Sequence, residues 1–183
     1  MNNYLEELIG TWGQAIGSVT DAISSAPSYK FSETFKTSLS LLGNIMQAIG
    51  NTLIADSIKN PKSLDKIGNI IQSIGNSTVV LGLLIKSRKE IQIELGIIGN
   101  SLQAFGNLLT SLSESVGDFE KANIEKIGSI LQAIGSSLQA LSGILELKGK
   151  DGEYINFIGS WTAASGAVLQ ALVLSENGIQ PTR

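Results

Sequence analysis

Carboxylates are the only conventional acid–base groups in this sequence of 183 residues, which holds sixteen Asp and Glu, thirteen Lys and Arg, and no histidine or cysteine. Disulfides, thiolate and imidazole metal sites, cysteine nucleophiles and the Ser-His-Asp arrangement are thereby excluded. Glu90 and Glu94 share one helix face at i,i+4 spacing, as a hard-cation site would need, but no matching pair stands elsewhere and Lys86, Arg88 and Lys89 crowd them. A glycosidase-like pair needs two acids facing one another across a cleft, and the sequence assigns none. Most other acids, Glu6 and Glu7, Glu33, Asp65, Asp118 with Glu120 and Glu125, and Asp151 with Glu153, fall near expected helix starts, where the helix dipole favours negative charge. The glycines build no phosphate loop, and no strand pattern is present. No catalytic, cofactor-binding or metal-ligating residue is assigned, no cofactor or small-molecule substrate is expected, and the chain does not read as an enzyme.

The elements that must position these residues are organised around one phrase, Ile67-Gly68-Asn69-Ile70-Ile71-Gln72-Ser73-Ile74-Gly75-Asn76. Five related copies begin at Ile9, Leu42, Ile98, Ile127 and, in degenerate form, Ile158. Each places two glycines seven residues apart: Gly10 and Gly17, Gly43 and Gly50, Gly68 and Gly75, Gly99 and Gly106, Gly128 and Gly135, Gly159 and Gly166. Seven residues is close to two helical turns, so both glycines lie on one stripe. Apolar positions fill one broad sector beside them, Ala or Ser stands at the far edge, and Asn, Ser and Gln occupy the narrow remaining face. A glycine inside a helix costs about 1 kcal/mol relative to alanine, so twelve of them require an offset. Close approach of a neighbouring backbone supplies one, and these twelve positions are read as helix-packing contacts. A loop or C-cap role suits an isolated glycine, but not pairs embedded in apolar periodic runs.

First glycines step by 33, 25, 31, 29 and 31 residues, which fits one helix and one turn per copy. The first helix is expected from about Asn3 to Ser24, ending before Pro27, with Ser28-Tyr29-Lys30-Phe31 as linker. The second begins at Ser32 and Glu33 and reaches about Ile58. Asn60 caps the third, with Pro61 in its first turn, and that helix runs to about Lys86. A break across Lys86–Glu90 rests on spacing alone, and a continuous helix there is the alternative. The fourth covers Lys89–Ser115, Gly117-Asp118 stop it, and the fifth covers Phe119–Leu147. Lys148–Gly152 is a turn, and the sixth spans Glu153–Glu176 with Asn177-Gly178 as terminator and residues 179–183 as a short tail. The expected architecture is all-α: six long antiparallel helices in one elongated bundle, a single domain over residues 1–183. A curved solenoid of helical hairpins is the alternative.

Net charge is −3 and the basic residues are scattered, which speaks against nucleic acid as a partner. The start Met1–Glu7 lacks a secretory signal, so a cytoplasmic location is expected. Charges avoid the helix centres: residues 37–55, 67–85, 95–113 and 127–145 are nineteen uncharged residues each, and 154–175 are twenty-two. Spanning helices have this length. Against them stand mid-segment amides and hydroxyls such as Asn69, Gln72 and Asn76, the lack of alternation in basic content between linkers, and a mean hydropathy of only +0.20. The expected function is a non-catalytic structural or self-assembling helical protein that packs through its glycine stripes, with a membrane-inserting bundle as the alternative. The Asn/Gln face is expected to meet either solvent or the amide face of another copy. Trp12 and Trp161, both two residues after a first glycine, read as packing residues of the terminal helices or as an exposed handle for a partner or membrane.

The recurrent Ile-Gly-Asn-x-Leu/Ile-Gln-Ala-Ile-Gly-Asn resembles the repeat of a group of helical proteins from Gram-positive bacteria to which no function is assigned. The resemblance covers Leu42–Ser136 well and the outer copies loosely. It implies helical repetition and transfers no catalytic residue.

Overall fold

Each uncharged stretch falls wholly or almost wholly within a helix: α1 (Asn3–Ser24), α2 (Glu33–Ser57), α3 (Leu64–Leu84), α4 (Lys89–Ser111), α5 (Phe119–Leu147) and α6 (Glu153–Ile179). The computed structural model describes residues 3–27, 30–113 and 119–179, and no strand occurs among them. Local chemistry explains most boundaries. Ser32 caps α2 by accepting from the Phe35 amide at 3.3 Å. Residues 85–88 break the chain between α3 and α4, closed by the Ile85 amide donating to the Leu81 carbonyl. Gly149, at φ 67°, takes the left-handed conformation after α5 that a side chain would disfavour.

Three boundaries differ from expectation. Asn60 does not cap α3: its Oδ1 accepts from the Lys62 amide within the preceding turn, and Ser63 holds the N-cap position. An Asx-turn there competes with capping for the same side chain. Helix α4 ends at Ser111, short of Ser115, with the Leu112 amide closing its last turn. Asn177 and Gly178 lie inside α6, which continues to Ile179. The expected stop at Gly117-Asp118, most of the linker at Ser28-Tyr29 and the end of the tail lie outside the described residues.

Consecutive helices run antiparallel, and α1 packs against α6. Among the described residues each helix approaches only its two neighbours, so six helices form a closed ring about a central axis, a bundle and not an open solenoid. Rotation of about 100° per residue explains which face each helix turns where. Taking the first glycine as zero, the two glycines fall within roughly 20° of one another, Gln four along at roughly 40°, the Asn or Ser after the second glycine at roughly 80°, and Ala five along at roughly 140°. The glycine edge meets the partner within each hairpin. The small Ala/Ser edge meets the next hairpin: Ala15 of α1 clusters with Ala167 and Ala171 of α6, and Ser73 of α3 donates to the Ala48 carbonyl of α2 at 3.0 Å. Between these edges the amides point inward, and the aliphatic sector points outward.

The burial pattern is therefore reversed relative to a protein folded in water. Asn51 and Asn76, each 1% exposed, are the largest fully buried side chains, whereas Ile49 and Ile74, two residues away on the same helices, are 58% and 53% exposed. The amide face, expected to meet solvent or another copy, is enclosed by the chain's own helices. Sequence periodicity separates the sectors of a helix without saying which one faces outward.

Candidate functional site

The twelve glycines pair reciprocally inside the three hairpins: Gly10 with Gly50 and Gly17 with Gly43, Gly68 with Gly106 and Gly75 with Gly99, Gly128 with Gly166 and Gly135 with Gly159. A Cβ on Gly10 would lie 2.7 Å from the Gly50 carbonyl oxygen, and one on Gly17 would lie 2.6 Å from that of Gly43. Backbone meets backbone at these points, so no larger residue fits without parting the helices. Such close approach aims the neighbouring Gln and Asn side chains at the ring's axis, where room for larger aliphatic groups is lacking.

The axis is a stack of amides and hydroxyls. At its centre Gln14 donates through Nε2 to Oε1 of Gln72 at 3.2 Å and of Gln132 at 2.9 Å, joining α1, α3 and α5 at equivalent positions four residues after a first glycine. The chain of bonds continues from Gln132 Nε2 to Gln170 Oε1, and from Gln170 Nε2 to Ser129 Oγ at 2.8 Å and the Glu125 carbonyl at 3.1 Å. In the other direction Gln139 Nε2 donates to Ser160 Oγ at 2.8 Å and to Asp21 Oδ2 at 3.4 Å. Asp21 Oδ1 accepts from Ser40 Oγ at 2.7 Å and from Asn44 Nδ2 at 3.1 Å, so this inward carboxyl is held by α1, α2 and α5 together. Among the described residues two buried acceptors are left over: Oδ1 of Asn51 and Oδ1 of Asn76 have no hydrogen-bond partner. The axial cavity that Asn76 lines has a volume of about 10 Å³, room for roughly one water.

Each end of the axis is distinct. Glu7, Asp65 and Glu125 stand three residues before Gly10, Gly68 and Gly128, so α1, α3 and α5 bring one carboxylate each to the same end of the ring. Asp65 and Glu125 repel the Glu7 charge, and Asp65 repels that of Glu125, which Lys121 partly offsets. Burial pushes the Glu7 carboxyl above its ordinary value, and repulsion from Asp65 and then Glu125 adds to the rise. Asn69 Nδ2 donates to Asp65 Oδ1 at 3.0 Å. At the opposite end a cleft of about 330 Å³ opens among α2, α3, α4, α5 and α6, and Gln139 belongs both to it and to the axial cavity.

Among the described residues no three carboxylates stand close enough to hold one metal ion. Glu90 and Glu94 are exposed on α4, away from the axis. Trp12 is half-buried, packs on the Ala15–Ala167–Ala171 cluster and donates to Ser175 Oγ at 2.9 Å, whereas Trp161 is 40% exposed beside Phe157. Sequence reasoning missed the axis and the carboxylate mouth. The signal was the fixed offsets of Gln and of Glu or Asp from the first glycine, which place each on a common face and level.

Residues 5–171 match a family of unknown function, DUF6944, and the chain belongs to that family. No curated protein and no solved structure matches it.

Proposed function

We propose that the chain is a non-catalytic bundle embedded in a lipid bilayer, its aliphatic faces toward the acyl chains and its amides enclosed. One observation carries this, the reversal of burial along α1 to α5, with α6 contributing a buried row of Ala164, Ala167 and Ala171 and an exposed Ile158, Trp161 and Leu172. Aliphatic surface left in water forgoes about 25 cal/mol per Å² of stabilisation, whereas in lipid the same surface is matched by its surroundings. Lipid also demands that polar groups find partners inside the fold, as the axial amides largely do, and rewards helices that approach through small residues. Residues 64–84, 120–147 and 153–176 are long and apolar enough to cross a membrane by length and composition. A nineteen-residue uncharged stretch is about 28 Å long, close to the thickness of the hydrocarbon core. In α1 the uncharged stretch is residues 8–20, so Glu7 lies outside it, at the mouth of the ring. Basic residues stand at both ends, so no orientation is assigned.

Self-association through glycine stripes has less support, because the glycine rows are already engaged within the hairpins. The test is fractionation of cells expressing the chain. Retention in the membrane pellet through an alkaline carbonate wash, with release by detergent, is the expected outcome. Recovery from the soluble fraction as a detergent-free particle overturns the membrane reading, and a detergent-free homo-oligomer there restores self-assembly.

A further inference from the structure

We propose that the amide-lined axis is a pathway for small monovalent cations, entered at the Glu7–Asp65–Glu125 mouth and closed in this conformation by the Gln14–Gln72–Gln132 triad; this rests on the membrane reading. A ring of carboxylates at the mouth of a narrow low-dielectric passage concentrates cations and repels anions. The mouth carries three acids from three different helices against Lys121, while Lys66 is turned to the Ile58 carbonyl at 2.8 Å.

The interior points the same way independently. Asn76 Oδ1 is buried in the axis with no donor, and Asn51 Oδ1, at the equivalent position on α2, is likewise unmet near the level of Gly10. A buried acceptor without a donor is costly unless a cation or a water carried with one visits it. The axial cavity is lined by amides, hydroxyls, Ala163 and the Asp21 carboxyl, and by no lysine or arginine, so nothing there would compensate an anion. Divalent ions are disfavoured by the spacing of the mouth, since no three carboxylates can close on one ion among the described residues.

The passage is shut at its centre. A volume of about 10 Å³ admits about one water and no hydrated ion, and Gln72 and Gln132, both bonded to Gln14, stand in its wall. Beyond them Gln139 leads into the 330 Å³ cleft, which supplies the second mouth. Gln72 and Gln132 both line this space, so shortening either one enlarges it.

The test reconstitutes the full chain into liposomes of neutral phospholipid, confirms insertion by co-flotation, and measures potassium and chloride efflux. Gln72→Ala is expected to raise potassium efflux at least tenfold over the unsubstituted chain with chloride left behind. Adding Glu7→Gln, Asp65→Asn and Glu125→Gln is expected to reduce the cation preference at least threefold. If Gln72→Ala does not float with the vesicles, Gln132→Ala takes its place with the same expectation. A floating variant whose potassium efflux equals that of empty vesicles overturns the pathway, as does efflux in which chloride keeps pace with potassium. Absence of the unsubstituted chain from the floating fraction overturns the membrane reading and this inference with it.

Discussion

A Cβ on Gly75 would lie 2.7 Å from the carbonyl oxygen of Gly99, and a Cβ on Gly99 would lie 2.6 Å from the carbonyl oxygen of Gly75. The obstacle on both sides is backbone, which cannot swing aside as a long side chain can. Replacing an ordinary helical glycine by alanine stabilises by about 0.4–1 kcal/mol through the unfolded chain. At this contact overpacking costs about 1–3 kcal/mol, so Gly75→Ala is expected to lower the unfolding midpoint in detergent, followed by circular dichroism. Gly106→Ala, blocked by the Gly68 carbonyl at 2.6 Å, should do the same. Gly96 has nothing within 4 Å of its would-be Cβ, and Gly96→Ala should raise the midpoint. Stabilisation at Gly75 and Gly106 would contradict the role given to all twelve paired glycines.

The central amides make a second prediction. Gln14 Nε2 serves two acceptors, Gln72 Oε1 and Gln132 Oε1, in the middle of the axis. Gln14→Ala removes that donor from both acceptors. Loss of about 1–3 kcal/mol is expected in a reversible detergent unfolding titration. An unchanged midpoint would mean that the triad is not a fixed part of the bundle.

The outer faces distinguish lipid from water. Ile74 stands near the middle of the uncharged stretch 67–85 and is 53% exposed. In a bilayer Ile74→Arg costs about 2.5–3.5 kcal/mol for a charge at the centre of a helix, and the membrane-retained fraction should fall several-fold. On a water-facing surface the same change stays within about 0.5 kcal/mol and fractionation would not move.

Much of the fold was legible because helix punctuation is local. Pro27, the Ser32 cap, and the glycines of Lys148–Gly152 act within a few residues, so their signals do not depend on what the helix later packs against. Asn60 misled because its side chain serves a turn and a cap equally well, and Asn177-Gly178 because a glycine costs a helix only about 1 kcal/mol and the helix runs through it. The site was less legible. The offsets of Gln72 and Asp65 from Gly68 were plain in the sequence, but their meaning depended on ring closure between α1 and α6, a contact between opposite ends of the chain. The periodicity alone left the amides assigned to the outer face, where Ile49 and Ile74 stand.

The mouth carboxylates make stability depend on pH in a stated direction. Glu7 sits outside the uncharged stretch of α1, facing Asp65 and Glu125, with Lys121 beside Glu125, and burial followed by those two charges raises its pKa above the ordinary 4.5. The folded chain therefore binds more protons than the unfolded chain between 4.5 and the raised value. Under linkage, stability falls as pH rises through that window and is regained as pH falls back toward 4.5. The melting temperature in detergent should thus decline as pH rises above 4.5, opposite to a carboxylate held by a salt bridge. Glu7→Gln keeps the shape without the charge and should flatten this slope while raising the melting temperature at neutral pH. A slope of the opposite sign, or one that Glu7→Gln leaves untouched, would place the repulsion elsewhere than at this ring of acids.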